Sequence, residues 1–408
     1  MIGTVSAERN GRALEFGLYR DGDNNLDDVQ ALTIAQALET SAADHSIAFA
    51  VEDTTARDGL EPAGVLRTES YGIADGKLSS RVEVSPPHDP SARTNLTQFV
   101  ARTLDAAERS GAKETWLDLV DHGGGDGGGL EADHGDGIMR SDDIAGAIAD
   151  GIALHAHEHP EDAGRGVDGV VANQCLMATV AFSSALSHAG VKYLAASPET
   201  MLAPGVPSEV AHEIAAHEDD PQAMAQALVD RTMSTRYGVA GERFGPAAAF
   251  DVIDLDPKKA AAVEGAVKDL DGSLAQAARD RSERAAIRAD AKATDGMVRF
   301  PEGKDLPWRA DRPAIALYER FANDGRLDAG LRNAATRAED AIAATVMAHR
   351  ESDDFAPFND ADYADAGGPT VHFPLSHKQI DPWAPKVSET DNAFYKAVGA
   401  ADVTRTVA

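Results

Sequence analysis

Two short stretches carry the residues that could do chemistry. Val167–Met177 reads Val-Asp-Gly-Val-Val-Ala-Asn-Gln-Cys-Leu-Met and contains Cys175, the only cysteine among 408 residues. An apolar β-branched run flanked by glycines has the pattern of a strand buried in a parallel sheet. Leu176–Ser187 has helical spacing and no turn signal before Gly190, so the thiol is expected where a strand passes into a helix. Helix N-terminal amides at such a place favour a thiolate and bind an oxyanion. A lone thiol is more often a buried inert side chain, but a second stretch alters that reading. Thr115–Gly129 is another strand-like run, and it stops at His122 before a series of glycines. Glycines let a backbone come close to a ligand, and in an open α/β sheet ligands bind beyond the carboxyl ends of the strands. A strand-end His and a strand-end Cys with a helix-forming stretch between them therefore suit neighbouring parallel strands facing one crevice.

The elements that must position them follow in order. Leu14–Tyr19 reads as a first central strand, with Asn25 and Asp28 spaced as a helix-capping pair before Val29–Leu38. Ile47–Val51 is a second strand, and Val65–Tyr71 with Leu78–Val84 alternate as a hairpin around Asp75-Gly76. Asn95–Ala107 and Asp142–His155 have helical spacing, whereas Val191–Ala196 and Ala247–Ile253 are strand-like. Beyond them come an Ala-rich helical region over Pro257–Lys292, an exposed connector or flap over Met297–Arg312, helices over Asp311–Phe321 and Leu327–His349, and a late strand at Pro369–Phe373. This alternation predicts an α/β fold with a mostly parallel central sheet and helices on both faces.

The blocks Tyr19-Arg20-Asp21-Gly22-Asp23-Asn24-Asn25-Leu26, Asp121-His122-Gly123-Gly124-Gly125 and Cys175-Leu176-Met177 together resemble the clostripain-like cysteine peptidases, relatives of caspases, legumains and gingipains. Ala196–Thr200, Ala249–Lys258 and Gly368–Pro374 also look like family segments. The resemblance implies a caspase-like core over residues 1–255 and a smaller helical C-terminal subdomain over 256–408, with a late strand returning to the core. It implies a cysteine endopeptidase in which Cys175 attacks the scissile carbonyl, His122 assists proton transfer, and the amides of Gly123 and Cys175 hold the oxyanion. Side chains on a strand alternate faces, so residue 173 shares the side of residue 175 and helps line the pocket. Where clostripain-like enzymes commonly carry Asp, suited to Arg or Lys substrates, this chain has Asn173. A neutral amide does not offset the desolvation of a guanidinium as a carboxylate does, so a strictly basic preference does not carry over. Glu199, Asp121 and Asp126 are the candidates for the missing charge. The alternative reading is a catalytically idle caspase-like domain that binds proteins.

Composition sets the remaining expectations. The formal charge of −30 argues against nucleic acid or an anionic membrane as partner. Peptide or protein substrates are what the resemblance implies. No stretch approaches the roughly 18 apolar residues of a membrane span. Met1–Arg12 is polar and leaves no signal-peptide core, and one cysteine allows no internal disulfide, so a cytoplasmic location is expected. No cofactor is predicted: Gly123-x-Gly125-x-x-Gly128 has no helix directly after it to make a dinucleotide fingerprint. The resemblance leaves calcium open, since some clostripain relatives use it, but calcium is not predicted: the acidic run Asp21–Asp27 lacks the glycine and glutamate of an EF-hand loop, with Leu26 and Leu32 in their places. His155-Ala-His-Glu-His159 reads as a solvated helix end rather than a metal site, so no metal is predicted.

Overall fold

A computed structural model describes residues 11–56, 66–84, 89–132, 137–239, 242–294, 310–352 and 367–375. The first half of the chain forms β1 (Leu14–Gly22), α1 (Asp27–Ala43), β2 (Ile47–Ala56), β3 (Leu66–Ala74), β4 (Lys77–Leu78), β5 (Val82–Glu83), α2 (Arg93–Ser110), β6 (Glu114–Val120), β7 (Gly129–Ala132), β8 (Gly137–Met139), α3 (Ser141–Glu158) and β9 (Gly169–Asn173). It continues through α4 (Val180–His188), β10 (Tyr193–Ala196), α5 (Val210–Ala216), α6 (Pro221–Ser234), β11 (Tyr237–Val239), β12 (Glu242–Phe244) and β13 (Ala249–Asp254). The C-terminal part adds α7 (Pro257–Ala277), α8 (Arg281–Ala293), β14 (Asp311–Pro313), α9 (Ala314–Asn323), α10 (Ala329–Ala343), β15 (Val346–Glu351) and β16 (Thr370–His372).

The central sheet runs β15-β13-β10-β9-β6-β1-β2-β3-β4, with β5 also paired to β3. Its middle, β10-β9-β6-β1-β2, is parallel throughout, as the α/β alternation predicts. Period-two alternation sorts the side chains onto two cores. Leu14, Phe16, Leu18, Trp116, Val120 and Val171 pack on one face with residues of α1, α5 and α6. Tyr19, Leu117, Leu119, Val170 and Ala172 pack on the other with α2, α3 and α4. The Asp75-Gly76 turn has φ of 54° and 68° at its two central residues, the left-handed pair that a tight hairpin requires.

Three elements differ from the sequence reading. The Pro257–Lys292 region is two helices, α7 and α8, because the Asp280 carboxylate caps a new start by accepting from the Ser282 and Glu283 amides. The Leu327–His349 helix stops at Ala343, and Val346–Glu351 becomes β15, held as a strand by antiparallel pairing with β13 at the sheet edge. The late strand, β16, pairs with β14 rather than the central sheet, though Thr370 N–H also donates to Ala178 O at 2.9 Å. Apolar residues of α7–α10 and Phe373 form a third core. Most of the connector Met297–Arg312 lies outside the described residues. Among the described residues no helix is long and apolar enough to cross a membrane.

Candidate active site at the strand ends

The carboxyl ends of β1, β6, β9 and β10 open onto one edge of the sheet, and each hands over to a loop carrying polar residues. Register matters most between β6 and β9. Val120 stands opposite Asn173, and Asp121 N–H continues the ladder by donating to Asn173 O at 3.3 Å. The next residues on each strand are His122 with Gly123 and Gln174 with Cys175, so the two sequence blocks meet. The approach is very close: a Cβ placed on Gly123 would lie 2.1 Å from Cys175 O and 3.0 Å from Cys175 N. Only glycine lets these two backbones touch.

His122 is half-buried, and its Nε2 lies 2.8 Å from Asn25 Oδ1. Asn25 stands on the loop after β1, and that loop is fastened beneath it. Arg20 is buried and pairs with Asp53 and Asp27, with its Nε 2.6 Å from Asp53 Oδ1. Asn24 Nδ2 donates to Asp121 Oδ1 at 2.6 Å. Burial raises the Asp121 pKa well above the usual carboxylate range, with the charge of Asp21 adding to it and the His122, Asn24 and Glu131 donors opposing it. Asn25 as the residue against His122 escaped the sequence reading, which treated it as a helix cap; α1 has no side-chain cap hydrogen bond.

Cys175 is half-buried and packs on the α1–α5–α6 core. Its Sγ lies 3.3 Å from Met201 N and 3.5 Å from Met201 O, on the loop that follows β10. Leu176 takes φ of +66°, a left-handed turn, and its N–H donates to Glu199 O at 3.0 Å. This turn corrects the expected strand-to-helix passage at the thiol. The α4 helix begins four residues later, where Thr179 Oγ1 accepts from Phe182 N, so its first turn does not start at the thiol as the sequence suggests. Glu199 is fully buried, placing its carboxyl inside the fold.

Asn173 is buried on the Cys175 side of β9, as strand alternation requires. Its amide is engaged: Nδ2 donates to Val206 O at 3.2 Å and Oδ1 accepts from Val206 N at 2.8 Å. Gly205, at φ +79°, lies so close that a Cβ there would overlap Asn173 Oδ1. One step down on the neighbouring strand, Asp118 is also buried, and burial holds its carboxyl well above the usual range against the pull of Asn173. Asp126 lies on the glycine turn after His122.

No family model matches the chain, and no curated protein matches it. Solved structures do. An inactive zymogen of a C11 protease from Parabacteroides distasonis superposes with a TM-score of 0.60 at 14% identity, covering 98% of this chain and 99% of that one. A secreted C11 cysteine protease from Bacteroides thetaiotaomicron, bound to an irreversible peptide inhibitor, gives 0.58 at 15% identity, covering 96% and 99%. Another structure of a secreted C11 cysteine protease from that organism gives 0.57 at 12% identity, covering 95% and 99%.

The chain has the fold of the C11 cysteine proteases. The C11, or clostripain-like, likeness extends over nearly the whole length of both chains, so the helical layer of α7–α10 belongs to the shared architecture as much as the sheet does.

Proposed function

We propose that the chain is a cysteine endopeptidase whose nucleophile is Cys175 and whose general acid–base is His122. The observation that carries this reading is the contact of Gly123 with the Cys175 backbone, which sets the two side chains at the ends of adjacent strands. His122 Nε2 is held by Asn25, so proton transfer falls to Nδ1. His122 takes the Cys175 thiol proton as the sulfur adds to the scissile carbonyl carbon, the carbonyl oxygen becomes an oxyanion facing the Gly123 and Cys175 amides, and His122 returns that proton to the departing amine as the oxyanion collapses and the C–N bond breaks. Water then hydrolyses the thioester and restores the thiol. Each oxyanion donor is worth about 3 kcal/mol in other proteases.

Substrates are peptides or proteins, in keeping with the charge of −30. Asn173 and the loop it fastens at Val206 shape the wall beside the nucleophile, with Glu199 supporting the Cys175 turn from behind. Because the residue there is a neutral amide already bonded to the loop, the preference is not strictly basic. The single cysteine supports a cytoplasmic enzyme, and cell fractionation with an antibody decides between that and export.

A second reading, an idle protein-binding domain, is favoured by one observation: burial pushes the Cys175 thiol up to about 11. A peptide-library cleavage profile separates the two. The peptidase reading predicts turnover that Cys175→Ala and His122→Ala each reduce by at least about 10³-fold with the fold retained. Cleavage that persists in Cys175→Ala would reject the nucleophile.

A further inference from the structure

At the edge of the sheet opposite the crevice, α2 and α3 bring six side chains together. Asp105 and Glu108 come from α2, His155 and His159 from the end of α3, and Glu161 and Asp162 from the turn that follows. The sequence reading of a solvated helix end does not hold for His155, which is completely buried.

The two imidazoles stack with centroids 4.9 Å apart and planes 19° from parallel. Each turns one nitrogen to the same carboxylate: His155 Nδ1 lies 2.8 Å and His159 Nε2 3.4 Å from Asp105 Oδ1. One donor atom from each of Asp105, His155 and His159 lies within 4.8 Å of the others. A tetrahedral ion with bonds of about 2.0–2.1 Å spaces its ligands about 3.4 Å apart, so small side-chain rotations suffice. The outward nitrogens are equally informative. His159 Nδ1 is 2.9 Å from Glu108 Oε2, and His155 Nε2 faces Asp162 Oδ2 at 3.5 Å without making a hydrogen bond. A metal-bound histidine characteristically turns its second nitrogen to a carboxylate, which fixes the ring and raises its basicity. Arg165 pairs with Asp162, leaving Asp105, Glu108 and Glu161 to give the cluster its negative charge.

We propose that Asp105, His155 and His159 bind one zinc-type divalent cation, completed by water on the solvent side, where Asp105 and His159 are partly exposed. Two nitrogen donors with one carboxylate select such an ion over calcium or magnesium. The ion clamps α2 to α3. It takes no part in peptide cleavage, since β9 carries the chain from this edge to Cys175 over about 20 Å at the usual strand rise. The site stands whether or not the peptidase reading does.

The test uses the full chain carrying Cys175→Ala, so that no thiol competes for metal. After chelation and dialysis the protein is titrated with Zn2+ alone, and with Co2+ for its visible spectrum. One equivalent of zinc per chain is expected, with a cobalt spectrum of a four-coordinate nitrogen–oxygen site. His159→Gln and Asp105→Asn, both at partly exposed positions, are expected to weaken binding at least about 10-fold while circular dichroism stays unchanged. Zinc uptake below a tenth of an equivalent would overturn the proposal. So would parent-like binding in both variants, or a cobalt spectrum of a six-coordinate all-oxygen site, and these readings on the parent protein stand even if a variant fails to fold.

Discussion

Burial pushes the Cys175 thiol up to about 11, against the pull of the Met201 and Cys175 amides and with the charge of Asp121 adding to the shift. An ordinary thiol titrates near ~8.5, so at pH 7 the resting protein holds only on the order of 10⁻⁴ of its sulfur as thiolate. Iodoacetamide, which makes no use of the peptide crevice, is therefore expected to alkylate Cys175 roughly tenfold faster for each pH unit between 7 and 10. A rate already on its plateau at pH 7 would show a preformed thiolate. At this scale the sequence was legible where chemistry and chain position coincide: Cys175 is unique, and His122 opens a glycine run. The partners of those residues were not legible. Asn25 lies nearly a hundred residues before His122, and the Met201 amide that meets the sulfur is backbone, to which side-chain spacing gives no clue.

Among the elements, β6 and β9 bear the most on function, because their register puts Gly123 on Cys175. Gly123→Ala is expected to push the strand ends apart, lowering kcat/KM by about 10²-fold or more and stability by about 1–3 kcal/mol. Steady-state kinetics and urea denaturation check both, and a parent-like enzyme would mean that the contact is dispensable. Cleavage between the two strands is a separate matter. The segment joining them offers two arginines, Arg140 and Arg165, and both are only partly exposed: Arg140 pairs with Asp142 at 3.1 Å, and Arg165 bonds Asp162 and Ala112 O. With Asn173 in the wall, the chain is expected to stay intact, and fragments ending at either arginine, absent from Cys175→Ala, would contradict this in an intact-mass spectrum. The parallel strands and α2 and α3 could be read from local pattern because each is apolar with its own period. By contrast, β15 could not, since its state is decided by pairing with β13, and α4 starts late because Leu176 turns left-handed and Thr179 caps.

For the molecule as a whole, acidity and burial act together. Burial raises Glu15 and Glu114 to about 7, although Ser110 and Trp116 respectively donate to them. In an unfolded chain these groups ionise near their ordinary values of about 4.3, so folding is favoured below that pH and loses this contribution as pH rises to about 7. His349 moves stability the same way. Burial opposes its charge, but Asp251 and Glu351 outweigh that and raise it to about 9, so its contribution is full below about 6.5 and lost as pH passes 9. The urea midpoint is expected to fall between pH 5 and 9, and Glu15→Gln is expected to flatten the limb between 4.5 and 7 by about 2–3 kcal/mol. Added salt should raise the midpoint at pH 8 by screening the charge of −30. A midpoint that climbs from pH 5 to 8 would contradict the burial argument.

The central claim is that Cys175 is a nucleophile served by His122, and covalent capture tests it most directly. A peptidyl acyloxymethyl ketone at neutral pH is to be incubated with the parent protein, His122→Ala and Cys175→Ala, and the adduct mapped by peptide mass. One adduct per chain is expected on Cys175, formed at least about 10²-fold more slowly in His122→Ala and absent from Cys175→Ala. No adduct on a folded parent protein across a panel of peptide sequences, or an adduct formed equally fast without His122, would contradict it.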